Sequence, residues 1–236
     1  MPQAAEEVLK VSVGGVLTLP DGTVKNLRLV GDAEWVEGWL RRSVSPCALW
    51  SLTTPLLPIA EGLTTPVGAP IFVMGLEGDG SLAVVLLDLH LERPFCQVLG
   101  EGLAALQWAE QLDERQLETF ARTFGRDRHI SLRSAYERAF SSPSPPTLGI
   151  TSKVQILSWR SWDILAEMQQ FLQQRQLPFW LFRLWVLQTP EGEAVALTEL
   201  AISSPAAGAR VPLSFQRFGS GDLFLRSLQG SEEGRP

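Results

Sequence analysis

Residues 69–91 read APIFVMGLEGDGSLAVVLLDLHL, and this stretch decides the fold of the chain. Residues 69–76 and 82–87 are almost entirely apolar, and the Gly-Asp-Gly-Ser segment between them at 78–81 is typical of a tight turn. Two such strands joined by such a turn predict a β-hairpin. Because the second strand is apolar on both faces, we expect the hairpin to lie at the centre of a sheet.

Helical spacing of apolar residues appears after the hairpin. It extends over residues 99–123, where Gly125 is a typical stop, and again over residues 161–174. Residues 178–185 are mostly apolar and fit either a buried helix or a buried strand. The prolines in Ser141-Ser142-Pro143-Ser144-Pro145-Pro146 exclude a helix there, so we interpret this segment as a connector within one domain.

The region before residue 69 predicts a second hairpin and a short helix. Alternating residues at 8–19 and 24–30 flank a Pro-Asp-Gly turn, and Asp32 is a typical cap for a helix over 33–40. We therefore predict a single α/β domain over residues 1–228. A polar tail, predicted to be disordered, follows over 229–236.

Composition excludes several classes of protein. Of the 236 residues, 45% are hydrophobic, which is enough for a sizeable core, yet no run reaches the roughly 18 to 20 apolar residues of a membrane span. The net charge of −6 argues against nucleic-acid binding. The two cysteines, Cys47 and Cys96, support neither a disulfide framework nor a cysteine metal site. We expect a cytoplasmic protein, or one of the plastid stroma if a transit peptide has been removed.

Few residues carry an obvious chemistry. No phosphate-binding loop, serine nucleophile or metal-spaced histidine pair occurs in the sequence. Asp88 interrupts an apolar run, and a buried carboxylate needs a partner or a function. Asp88 is either a pocket acid or a carboxylate bonded to backbone donors or an arginine at the end of a strand. Glu77 is either exposed beside the turn or part of a site, and His90 is either structural or close to a pocket.

Three segments, in order, resemble the ferredoxin-dependent bilin reductases and, more closely, the red chlorophyll catabolite reductases. The first segment runs from Ala-Pro-Ile-Phe at 69–72 to Leu-Asp-Leu at 87–89. The second is Arg-Ala-Phe-Ser-Ser-Pro at 138–143, and the third is Leu-Ser-Phe-Gln-Arg-Phe-Gly at 213–219. The resemblance implies an α/β/α sandwich with a central antiparallel sheet flanked by helices. It also implies a linear tetrapyrrole as ligand.

The same resemblance implies how such an enzyme works. Reduced ferredoxin supplies the electrons, the protein supplies protons from a carboxylic acid beside the pyrrole nitrogens, and no flavin, metal or nicotinamide is bound. By alignment, however, the family's two acids fall at Gly75 and near Arg210. Glu77 lies two residues from Gly75, so on a strand it shares a face with it and is our candidate replacement. Glu77 and Asp88 are thus the candidate catalytic residues.

The candidate substrate-binding residues also follow from the resemblance. Arginines suit the propionates of a tetrapyrrole because the guanidinium binds carboxylates bidentately. Trp180, Phe182 and Trp185 are interpreted either as stacking groups or as core. The predicted binding residues are Phe72, Met74, Gly75, His90, Arg210 and Arg217.

Three functions remain open from the sequence. The first is a ferredoxin-dependent reductase of a linear tetrapyrrole. The second is a non-catalytic protein of the same fold that binds such a pigment or helps to assemble a photosynthetic complex. The third is an unrelated α/β interaction module. The missing acids weaken the reductase hypothesis more than they weaken the fold prediction, because catalysis depends on the residues of a site and not on the fold alone.

Overall fold

The computed structural model describes residues 10–12, 16–18, 24–26, 28–45, 48–125, 131–189, 192, 194–201 and 214–218. The helices in these ranges are α1 (Ala33–Ser43), α2 (Phe95–Ala109), α3 (Glu114–Phe124), α4 (Leu132–Phe140) and α5 (Trp162–Gln174). The strands are β1 (Lys10–Ser12), β2 (Val16–Thr18), β3 (Val24–Asn26), β4 (Arg28–Leu29), β5 (Leu56–Thr64), β6 (Pro70–Glu77), β7 (Leu82–Asp88), β8 (Ser152–Ser158), β9 (Phe179–Gln188), β10 (Ala194–Leu200) and β11 (Ser214–Phe218).

One large sheet organises the molecule. Its strands lie in the order β11-β10-β9-β8-β7-β6-β5, and β4 adds to β9. Strand β8 is parallel to both β7 and β9, and the other ladders described in this sheet are antiparallel. The predicted α/β sandwich is confirmed, but the sheet is mixed and not wholly antiparallel. The reason is that helices, not turns, connect β7 to β8 and β8 to β9, and such crossovers join parallel strands.

The hairpin predicted at 69–91 forms strands β6 and β7. Val73 pairs with Val85 and Leu76 with Leu82, and the Gly80 amide closes the turn onto the Glu77 carbonyl at 2.9 Å. Gly80 has a φ of +81°, a conformation that favours glycine. Because β5 pairs with β6 and β8 with β7, the hairpin is interior to the sheet, as its apolar second strand predicts.

Two hydrophobic cores lie on the two faces of the sheet. Helices α2 to α5 cover the first face, where Leu82, Val84 and Leu86 of β7 are buried. Helix α1 and residues 48–52 cover the second face, over Ala83 and Val85. Alternate residues of β7 therefore point to different cores, which explains why this strand is apolar throughout.

The prediction of one helix over 99–123 is wrong. The structure has two helices, α2 and α3, separated at residues 110–113. Asp113 caps α3, because its side chain accepts from the Gln116 amide while the Gln116 side chain accepts from the Asp113 amide. This capping box outweighs the apolar spacing that continues through Leu112.

Residues 179–185 belong to strand β9, so of the two alternatives for this apolar run the strand is the correct one. A buried glutamine of α5 helps to hold this strand. Gln169 donates to the Phe179 carbonyl at 2.9 Å and accepts from the Leu181 amide at 2.7 Å. One side chain thus pairs two backbone groups of the strand.

The first strands form a separate sheet. β2 pairs antiparallel with β3 across the predicted Pro-Asp-Gly turn, as expected. The strand predicted over 8–19 is instead two strands, β1 and β2, which pair with each other, and β4 at 28–29 pairs with β9 of the large sheet. Helix α1 is capped by Asp32 as predicted, with the Trp35 amide donating to it at 3.0 Å. Strand β5 was not predicted. The ends of the predicted domain, and the tail at 229–236, lie outside the described residues.

Candidate functional site

A buried polar cluster surrounds Glu77 at the turn end of the central hairpin. Glu77 is the last residue of β6 and is only 7% exposed. Its carboxylate accepts hydrogen bonds from Thr54 Oγ1 at 2.7 Å, Gln155 Nε2 at 2.6 Å and Lys153 Nζ at 2.7 Å. The hairpin-end cluster consists of Thr54, Glu77, Asp79, Ser81, Lys153 and Gln155.

Three chain segments build this cluster. Thr54 lies just before β5, Glu77 and Asp79 belong to the hairpin, and Lys153 and Gln155 are alternate residues of β8. Residues two apart on a strand share a face, so the parallel pairing of β8 with β7 brings both side chains to the hairpin. The cluster is therefore a product of the sheet's topology and not of one local motif.

Charge in the cluster is distributed over two carboxylates and one ammonium. Lys153 Nζ donates to Asp79 at 2.9 Å as well as to Glu77. Burial opposes the charge on Lys153, but the hydrogen bonds to the two carboxylates outweigh it and raise the Lys153 pKa. Burial likewise opposes ionisation of Asp79, but hydrogen bonds from Ser81 and Lys153 dominate and lower the Asp79 pKa to about 2.

An indole ring completes the arrangement. Trp180 of β9 is the register partner of Gln155, and its ring centroid lies 5.6 Å from Lys153 Nζ. Trp180 and Lys153 are both only partly buried, whereas Gln155 and Glu77 are buried. The site thus combines an inner carboxylate and amide with an outer ammonium and aromatic ring, a set that recognises N–H donors, anions and flat rings.

The lowered Asp79 pKa predicts a pH-dependent stability. The contribution of Asp79 is present above its ordinary pKa of 3.8 and is lost as the pH falls through about 2. We expect Asp79→Asn to lower the free energy of unfolding at pH 7 by no more than about 1 kcal/mol, because the side chain is 60% exposed and solvent screens it. Urea unfolding at pH 7, 4 and 2 measures this loss, which should be mostly gone at pH 2.

Glu110→Gln is the matched control, because Glu110 is an exposed carboxylate outside the cluster. Its unfolding free energy should follow that of the unmodified protein at each pH. A loss in Asp79→Asn that is equally large at pH 7 and pH 2 would contradict the prediction.

The second candidate acid, Asp88, lies elsewhere and is ion-paired. Its side chain is 0% exposed, and Arg160 donates to it through Nε at 2.7 Å and Nη2 at 3.2 Å. Ser158 Oγ adds a third bond at 2.7 Å. Of the two alternatives for Asp88, the structure therefore supports the carboxylate that is held by an arginine at the end of a strand. Glu77 precedes the turn that leads into β7, whereas Asp88 ends β7. For a strand of this length, the two acids are about 20 Å apart.

The predicted binding residues of strand β6 do not form one surface. Phe72 packs in the second core and Met74 in the first, so the two side chains lie on opposite faces. Gly75 has no room for a side chain, because an added Cβ would lie 2.5 Å from the Leu57 carbonyl oxygen and 2.7 Å from Leu56 Cγ. The position at which the family carries its strand acid is therefore filled by strand β5.

The other predicted binding residues are not brought to the cluster by the described structure. His90 is exposed beyond the far end of β7, with Nδ1 3.4 Å from Glu92 Oε1. Arg210 lies outside the described residues. Arg217 pairs with Val195 through the backbone of β11, and its side chain is outside what the structure describes.

Comparison with protein-family models, curated proteins and solved structures gives no match to this chain.

Sequence reasoning identified Glu77 and missed its partners. Lys153, Gln155 and Thr54 were not predicted, although Lys153 and Gln155 alternate with the apolar residues of Lys-Val-Gln-Ile-Leu at 153–157. Two polar residues on one face of an otherwise buried strand could have indicated a buried polar site from the sequence. Their partner is not readable locally, because Glu77 lies 76 residues from Lys153.

Within the described ranges, no group of three or more histidine, cysteine, aspartate or glutamate side chains is placed to hold a metal ion. No helix in those ranges is long and apolar enough to cross a membrane.

Proposed function

We propose that this protein binds a linear tetrapyrrole at the hairpin-end cluster and does not reduce it. The observation that carries the proposal is the placement of a buried carboxylate, an ammonium and an indole ring around one point of the sheet. A linear tetrapyrrole offers a complementary set, namely pyrrole N–H donors, propionate carboxylates and a flat conjugated system. The three-segment resemblance supplies the ligand class.

Each partner in this proposal has a stated role. The Trp180 ring stacks on a pyrrole ring, since indole faces suit flat conjugated groups. Lys153 binds a propionate, since its ammonium lies at the outer side of the cluster and is 21% exposed. Glu77 keeps Lys153 and Gln155 in position through its bonds of 2.7 and 2.6 Å.

We propose binding instead of reduction because of where the acidic side chains lie and what they contact. Gly75 offers no carboxyl group and no room for one, and Asp88 is in an ion pair with Arg160. Glu77 shares the face of Gly75 but is engaged by Lys153, Gln155 and Thr54. A reductase needs a carboxylic acid that exchanges a proton beside the pigment. Ferredoxin is a partner only under the reductase alternative, and the proposed compartment is the cytoplasm or a plastid stroma.

A visible-absorbance titration tests the proposal. The purified protein is titrated with biliverdin and with red chlorophyll catabolite, and reduced ferredoxin is then added anaerobically. We expect a saturable spectral shift that persists after ferredoxin is added. We expect Trp180→Leu to weaken binding about 3- to 10-fold, the value of one aromatic stacking contact.

The control is Glu110→Gln, which should bind the pigment as the unmodified protein does. A shift that bleaches or moves when reduced ferredoxin is added would replace the binder with a reductase. The absence of a shift with both pigments would overturn the tetrapyrrole assignment.

A further inference from the structure

We propose that Gln155 determines ligand specificity, with its side-chain oxygen accepting a hydrogen bond from an N–H group of the ligand. This inference rests on the proposed function and names the atom that selects the ligand. Gln155 is 1% exposed, and its Oε1 has no hydrogen-bond partner among the residues that the structure describes. The same amide uses its nitrogen twice, donating to Glu77 at 2.6 Å and to Thr54 at 2.8 Å.

The orientation of this amide is fixed by its neighbours. If the amide were turned over, its oxygen would lie about as close to Glu77 Oε1 as its nitrogen does now, and two acceptors would face each other. The Thr54 hydroxyl cannot relieve that contact, because its hydrogen is already donated to Glu77. The nitrogen therefore faces Glu77 and the oxygen faces away from it.

An unpartnered oxygen at this depth calls for an explanation. Nearly all buried side-chain acceptors in folded proteins are paired, because an unpaired one loses its bonds to water and gains none. Gln155 stands between Val85 of β7 and Trp180 of β9 in the register of the sheet. The two bonds of Gln155 Nε2 account for an amide at this position, but they leave its oxygen without a donor. A ligand N–H that pairs with the oxygen would complete the hydrogen bonding of this side chain.

The surroundings fit an N–H donor better than an anion. The cluster contains two carboxylates and one ammonium, so its net charge is negative. Lys153 lies two residues before Gln155 on the same strand, and Trp180 lies beside it. These partly exposed side chains are the ones that contact the ligand in the proposed function. The site is thus expected to select a tetrapyrrole whose nitrogens still carry hydrogen.

Two ligands and two variants test this role. The ligands are biliverdin and its zinc complex, in which the metal occupies the pyrrole nitrogens. We expect the unmodified protein to prefer free biliverdin by about 10-fold, the value of one hydrogen bond to a buried acceptor. Gln155→Met keeps the length of the side chain and should lose this preference. Visible-absorbance titrations give both dissociation constants.

Thr54→Val is the matched variant, because it removes two bonds of the same network and leaves Gln155 Oε1 in place. It should weaken the binding of both ligands by similar factors and keep the preference for free biliverdin. If Gln155 had a purely structural role, Gln155→Met and Thr54→Val would change the two dissociation constants in the same way. If the unmodified protein binds biliverdin and Gln155→Met keeps the preference, the specificity role is overturned and the proposed function stands. If the unmodified protein binds neither ligand, both fall.

Discussion

Replacing Gly75 with aspartate, which would place an acid where the three-segment resemblance predicts one, is expected to unfold the protein or to lower its free energy of unfolding by at least about 3 kcal/mol. The Cβ alone would lie 2.5 Å from a backbone oxygen, that of Leu57, which belongs to the neighbouring strand and cannot rotate away. The carboxylate adds the cost of an unpaired buried charge. Gly75→Ala should show the steric part, about 1 to 3 kcal/mol.

Urea unfolding followed by circular dichroism measures these losses. Gly100→Ala is the matched control, because nothing lies within 4 Å of the added Cβ and the residue is in helix α2. The free energy of unfolding of Gly100→Ala should rise by about 0.5 to 1 kcal/mol, because alanine favours a helix more than glycine does. A stable Gly75→Asp variant would show that β5 and β6 can separate there, and it would reopen the reductase alternative.

Breaking the Asp88–Arg160 pair is the second change with a large expected effect. Arg160→Met should lower the free energy of unfolding by about 3 to 5 kcal/mol, since it leaves the Asp88 carboxylate buried with Ser158 as its remaining partner among the described residues. Asp88→Leu combined with Arg160→Met should recover part of that loss, because an apolar pair avoids a buried charge. Recovery stays incomplete because Arg160 also donates to the Arg93 carbonyl at 2.6 Å.

Arg122→Met provides the comparison with an exposed ion pair. Arg122 lies 2.9 Å from Glu118 on the surface of α3, and its loss should cost less than about 1 kcal/mol. Thermal and urea unfolding of the four proteins gives the ranking. An Arg160→Met variant as stable as Arg122→Met would mean that Asp88 does not depend on this arginine, and it would restore Asp88 as a candidate pocket acid.

The sequence predicts those parts of the fold whose causes are local. The hairpin at 69–91 follows from two apolar runs and one turn, and the Asp32 cap and helix α5 follow from spacing of the same kind. The helix predicted over 99–123 failed because apolar spacing was followed past Asp113, whose capping box is itself visible in the sequence. Strand β5 was missed, and the residues just before it form only an isolated bridge, between Trp50 and Leu56.

The candidate site was less predictable because its partners are distant along the chain. Phe72 and Met74 were both predicted to bind the ligand, but their side chains enter different cores. Asp88 was correctly expected to need a partner, yet Arg160 is 72 residues away. Local spacing identifies which acids require an explanation, and the topology supplies the partner.

The parallel pairing of β8 with β7 also has a consequence for the order of folding. The hairpin closes a turn of four residues, whereas the β7–β8 ladder closes the connection over residues 89–151, and the entropy lost on closure grows with that length. We therefore expect Glu77 to be in place before Lys153 and Gln155 reach it. The cluster is complete only when β8 has joined the hairpin, so under the proposed function a bound pigment would stabilise this paired state and not the earlier hairpin. Ligand binding would then report that the long crossover has closed.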